Sequence, residues 1–180
     1  MNIVEEISKK YEGQYNEEAF RGSNYPSGKY TFHPQEGIIQ IGDSKVIINI
    51  KAVGGAARTA EPYRIVLFLD KDYQKKLEIF PKTTFQKFIG LFNSNHSTGI
   101  RDFIRKQFRI TGDKSLTEQL LNDQTFCENI IGEKIYILIG QKYPKRIILS
   151  PSYGIDDLDQ FEKFLAILQQ IESKIKGKST

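Results

Sequence analysis

Cysteine is almost missing from this chain of 180 residues, occurring once, at Cys127. A lone thiol excludes an intrachain disulfide framework and suits a reducing compartment. Histidine is scarce too, with only His33 and His96. Structural and catalytic zinc sites take Cys and His ligands in short paired spacings, and these three residues stand far apart, so no metal site of that kind is expected. Nucleophilic catalysis needs a base beside its nucleophile. His33 precedes Pro34 in a turn, His96 lies in the polar stretch NSNHSTG, and no GxSxG elbow occurs, so neither histidine has a companion motif. Cys127, between Phe126 and Ile130, reads as a buried structural thiol.

Long apolar runs are also lacking, which excludes a hydropathy-defined membrane helix. The opening MNIVEEISKKYEGQY carries acids where a signal peptide needs a basic start. A soluble, cytoplasmic protein of bacterial type is the expectation. Basic residues exceed acidic ones only modestly, 26 against 22. That excess permits an acidic partner without demanding one, and it falls short of the dense basic face of a dedicated DNA-binding domain. With 39% hydrophobic and 27% charged residues, the composition is that of an ordinary globular chain. One domain spanning 1–180 is expected, with possible pseudo-halves 1–92 and 100–180 joined by the loop 93–99.

What is present is periodicity. Ile3, Val4, Ile7 and Tyr11 keep helical spacing, and Glu5 with Lys9 and Glu6 with Lys10 form favourable pairs four residues apart. The following YNEEAFRGSNYPSG has turn formers and no steady period, and is assigned as loop. Strand character appears at Lys29–Phe32, Ile38–Ile41 and Lys45–Lys51, separated by turn chemistry. In the third run Val46, Ile48 and Ile50 alternate with polar residues, broken only by Ile47. Tyr63–Leu69 is almost continuously apolar, as in a central strand, and Lys76–Phe80 is a fifth strand. Thr83 and Gln86 offer a capping box to a helix carrying Phe85, Phe88, Ile89 and Phe92 on one face.

From Phe108 to Ile175 the order is strand, helix, strand, turn, strand and long helix. Ser115 with Glu118, and Thr125 with Glu128, have capping-box spacing. Ile135, Ile137 and Ile139 share a strand face. Leu158, Phe161, Leu165, Leu168, Ile171 and Ile175 form a helical stripe, with Asp156, Asp157 and Asp159 at its start and Lys174 and Lys176 at its end, as the helix dipole favours. The fold class expected is α+β: a largely antiparallel sheet of short strands with intervening helices, closed by a long amphipathic C-terminal helix. In element order alone this resembles a pleckstrin-homology-like arrangement, which implies a strongly bent sheet closed at one end by its final helix; the helices between Thr83 and Ile131 depart from it.

Three stretches are candidates for chemistry. Gly112-Asp113-Lys114-Ser115 follows a strand and opens a helix, a place suited to anions. A phosphate-binding P-loop, however, needs a second glycine five residues earlier and a glycine directly before the lysine, and here Gln107 and Asp113 stand there. The loop with Gly54, Gly55 and Arg58, with Arg64 just beyond, combines small residues that let a backbone approach a ligand with a guanidinium for a carboxylate or phosphate. A solvated connection between strands is its plainer reading. The third is the basic cluster Arg101, Arg105, Lys106, Arg109 and Lys114, an anion or nucleic-acid candidate through Arg101, Arg105 and Arg109. Phe103 and Phe108, interleaved with these bases, fit core-facing positions, which favours a solvated basic face.

No cofactor, metal or catalytic set emerges, and the function expected is a non-catalytic binding or adaptor module for a protein partner. Anionic-ligand or nucleic-acid binding through residues 101–114 or the glycine loop is the alternative. A third is an enzyme acting through carboxylates such as Glu61 and Asp70, which the sequence cannot place together. Oligomeric state is left open.

Overall fold

The alternating and helical periods become a sheet and a helical layer in the computed structural model, which describes residues 2–19, 21–25, 28–32, 34–50, 63–82, 99–140 and 142–177. The strands are β1 (Gln14–Glu17), β2 (Arg21–Tyr25), β3 (Gly28–Phe32), β4 (Gln35–Ile41), β5 (Ser44–Ile50), β6 (Tyr63–Phe68), β7 (Leu77–Pro81), β8 (Phe108–Gly112), β9 (Ile135–Gly140) and β10 (Tyr143–Pro151). The described helices are α1 (Ile3–Lys10), α2 (Ile100–Gln107), α3 (Lys114–Leu121), α4 (Gln124–Ile130) and α5 (Leu158–Lys176). The helix expected from Thr83 to Phe92 and the loop residues 93–98 lie outside the described residues.

Eight of the described strands pair antiparallel in the order β1-β4-β5-β6-β10-β9-β7-β8, and β2 pairs with β3 in a separate ribbon. The α+β class holds. Strands of the C-terminal half interleave with those of the N-terminal half, because β10 pairs with β6 and β9 with β7. The sheet is open, with β1 and β8 outermost among the described strands, and the long C-terminal helix α5 packs its apolar stripe against it. β2, and β1 except for Gln14, fall within the stretch assigned as loop. In β1 only Tyr15 is even half-buried, so no alternation marks it, and pairing with β4 makes it a strand.

One face of the sheet carries the core. Ile39, Val46, Ile48, Ile65, Leu67, Ile147, Leu149, Ile137, Leu77, Ile79 and Phe108 are buried against Val4 and Ile7 of α1, Ile104 of α2, Leu120 of α3, Phe126 of α4 and the stripe of α5. That stripe is wider than the expected one, since Phe164 and Ile167 are buried as well. Gly37 leaves room for α1 to sit close, because a Cβ there would stand 2.6 Å from the Ser8 hydroxyl oxygen. Phe103, expected to face the core, is 55% exposed. Helix α2 is short and rests on the core through Ile104 alone.

The caps also differ from the expected spacing. Asp113 caps α3 by accepting from the Leu116 N–H at 3.0 Å, and Asp123 caps α4 by accepting from the Phe126 N–H at 3.0 Å. Ser115 and Thr125, the expected caps, lie two residues further on, inside the helices. A carboxylate at the helix start gains from the dipole as well as from the hydrogen bond, which favours the aspartates. Asp157 caps α5, and Gly177, at φ 66°, ends it in the left-handed conformation that glycine adopts without strain. Among the described residues no helix is long and apolar enough to cross a membrane.

Candidate functional site

Because side chains alternate along a strand, burying one face of the sheet sends every second residue to the other. On that second face Ile38, Ile47, Val66, Ile148 and Leu138 stand in register across five neighbouring strands, β4, β5, β6, β10 and β9. Val66, at the centre, is 8% exposed, while the other four are half-buried. No described helix packs on this row. It continues through Glu78 and Thr111, which turns it polar at β7 and β8.

Two flanks border the row. On one side Lys45, Phe68, Tyr143 and Arg146 combine cations with rings: the Arg146 guanidinium lies 5.1 Å from the Phe68 ring centre and the Lys45 ammonium 5.9 Å from it. On the other, Glu36 pairs with Asn49, Asn49 with Arg64, and Ser150 with Tyr136. Tyr136 is 45% exposed, and its ring meets that of Phe80 at 5.8 Å. The Asn49 side-chain oxygen is buried without a hydrogen-bond partner.

Of the residues singled out from sequence, Gly54, Gly55 and Arg58 lie outside the described residues, as do His33, His96 and Glu61. Arg64, the second residue of β6, is exposed on the second face opposite Asn49. The three arginines of the basic cluster are not brought together. Arg101 donates through Nε to the Leu121 carbonyl at 2.9 Å, so it serves the C-terminal end of α3. Arg105 pairs with Glu118 at 3.4 Å beside it. Both border a cleft with Gly99, Asn122 and Gln124. Arg109 belongs to β8, in register with Phe80, and projects from the sheet face opposite the buried Phe108.

The Gly112–Ser115 stretch has its anion built in. The Asp113 carboxylate occupies the start of α3 and meets the Lys75 ammonium at 3.0 Å. The Leu116 N–H first, and Lys75 with it, hold that carboxyl below the ordinary carboxylate value. Gly112, at φ 132°, is a packing residue: a Cβ there would stand 2.3 Å from the Lys76 carbonyl oxygen. Cys127 is buried and burial pushes its thiol up. Asp70 is exposed and accepts from the Tyr73 hydroxyl at 3.0 Å, which lowers its carboxyl. Among the described residues no three Cys, His, Asp or Glu side chains gather to hold a metal ion.

The second-face row is what sequence reasoning passed over. Its signal was present as two irregularities, Ile47 breaking the alternation of β5 and Val66 filling the apolar run of β6. Both are the residues of a strand with apolar side chains on two faces. Compared with protein-family models, with curated proteins and with solved structures, the chain matches none.

Proposed function

We propose that this protein is a non-catalytic binding module that receives a protein partner on the second face of its sheet. The observation that carries this reading is the aliphatic row Ile38–Ile47–Val66–Ile148–Leu138, aligned in register on the face away from the described helices. A contiguous apolar patch with a polar rim is what protein interfaces present. Aromatic and arginine side chains, the residue types that anchor such contacts, stand on both flanks as Phe68, Tyr136, Arg64 and Arg146.

The test is affinity purification of the full chain from its own host, wild type beside Ile148→Asp and Leu138→Asp. One stoichiometric protein retained by the wild type and lost from both variants supports the reading, provided their urea midpoints stay close to that of the wild type. Undiminished capture by both variants refutes it, and so does reproducible turnover in a broad hydrolase and transferase screen.

A further inference from the structure

The flank at Phe68 says what kind of segment the face would take. Lys45 lies at the start of β5, Phe68 at the end of β6, and Arg146 on β10 in register with Phe68. Next to them Tyr143 carries two cations, with the Lys142 ammonium 5.6 Å and the Arg146 guanidinium 5.9 Å from its ring centre. Two rings thus organise three exposed cations along one border of the aliphatic row. Among the described residues, ion pairs hold Lys10, Lys75, Arg105, Lys163, Lys174 and Lys176, and no carboxylate engages the three border cations. A ring orients a cation through its quadrupole without neutralising it, so the positive charge stays available to an anion. Cations already ordered also lose less freedom on meeting one.

Resting on the docking reading above, we infer that the partner presents an amphipathic acidic segment, its apolar side chains on half-buried Ile47 and Ile148 and its Asp or Glu side chains on Lys45, Lys142 and Arg146. Charge complementarity selects the acids, and the aliphatic row selects a polypeptide. A single-stranded nucleic acid would need free ring faces for its bases. Here the cations already stand over the rings of Phe68 and Tyr143.

The experiment is fluorescence anisotropy of three labelled probes with the full chain: a peptide with Leu at helical spacing and Glu elsewhere, the same peptide with Lys for every Glu, and oligo-dT. The acidic peptide should bind at least about 10-fold more tightly than the basic one, and weaken by a similar factor with the double variant Lys45→Glu/Arg146→Glu. Its affinity should also fall as salt screens the border charges. Equal binding of the two peptides, or indifference to the charge reversal, overturns the inference. Tighter, Arg146-dependent binding of oligo-dT replaces it with a nucleic-acid surface. In the host purification, loss of the partner with Ile148→Asp but not with Lys45→Glu/Arg146→Glu keeps the docking face and removes the acidic segment; loss with neither removes both.

Discussion

Replacing Leu168 with Ala probes the packing on which the assignment of the two sheet faces depends. Leu168 is fully buried in the middle of α5, within the cluster formed with the sheet and with α3 and α4. The substitution deletes Cγ and both Cδ carbons. At about 0.8 kcal/mol for each buried carbon, the transfer part alone is roughly 2.4 kcal/mol. Residues around it on α3, α4 and the sheet are held by their own elements and relax only partly, so an unfilled cavity adds to that and the total should lie at about 3 to 5 kcal/mol. In urea, with a slope of about 2 to 3 kcal/mol/M for a chain of this size, the unfolding midpoint should fall by about 1 M or more. Gln169→Ala, one position along and exposed, is the internal control and should change stability by less than about 0.5 kcal/mol. The reasoning is refuted if Leu168→Ala shifts the midpoint no further than Gln169→Ala. In that case α5 would not cover the sheet, and the face taken to be free would have to be reassigned.

Caps supply a second contrast: Asp123→Ala should cost about 1 to 2 kcal/mol through loss of the bond to the Phe126 N–H, while Ser115→Ala and Thr125→Ala should each be close to neutral in the same denaturation assay. The pH dependence follows from the two caps. Asp113 is held below its ordinary value of 3.8 chiefly by the Leu116 N–H, and Asp123, although burial works against ionisation, is held below it by Lys174 and the Phe126 N–H. A depressed folded-state value means the unfolded chain binds the proton more readily, so their contribution is present above about pH 4 and is lost as pH falls through the folded values. Urea midpoints measured from pH 6 to pH 2.5 should drop in that window, and the drop should shrink in Asp113→Asn/Asp123→Asn. Gly112→Ala should destabilise by about 3 kcal/mol or more, since the added carbon meets the Lys76 backbone and the residue keeps a φ that alanine rarely adopts; a near-neutral melting curve would contradict that packing. The Cys127 thiol should resist a thiol-reactive disulfide reagent in the folded protein and react promptly once denatured, because it is buried and its ionisation suppressed.

Much of the sheet was legible from local pattern, and the reason is burial. Where one face of a strand meets the helices, the period of two is written into the chain, as in Ile135, Ile137 and Ile139 of β9. β1 escaped because its one partly buried residue, Tyr15, makes no pattern. The caps were misplaced because Ser115 with Glu118 and Thr125 with Glu128 satisfy a spacing rule, while the aspartates two residues earlier satisfy the same backbone donors with a full charge. Arg101 and Arg105 border one cleft while Arg109 stands apart from them, for a more general reason. Nearness in sequence implied nearness in space, but the chain passes from helix α2 into strand β8 between Arg105 and Arg109, and the strand sends Arg109 to the other side of the sheet.

The reverse holds for the border of Lys45, Phe68 and Arg146, which no window of sequence contains. It exists because β10 inserts between β6 and β9, placing Arg146 beside Phe68 and Ile148 beside Val66. The same insertion makes β10 a central strand to which the proposed docking reading gives two duties. Ile147 and Leu149 are fully buried under the helices, whereas Arg146 and Ile148 face the other way. Stability and recognition should therefore separate along this one strand. Truncating Ile147 or Leu149 should destabilise the fold, while reversing the charge of exposed Arg146 should leave the urea midpoint nearly unchanged and act on binding alone. Val66 is where the two duties meet: nearly buried between Ile47 and Ile148, it should show both effects when truncated to Ala. A Val66→Ala variant that loses partner affinity with no loss of stability would mean that the row does not pack within the sheet face at all, and only contacts what lies above it.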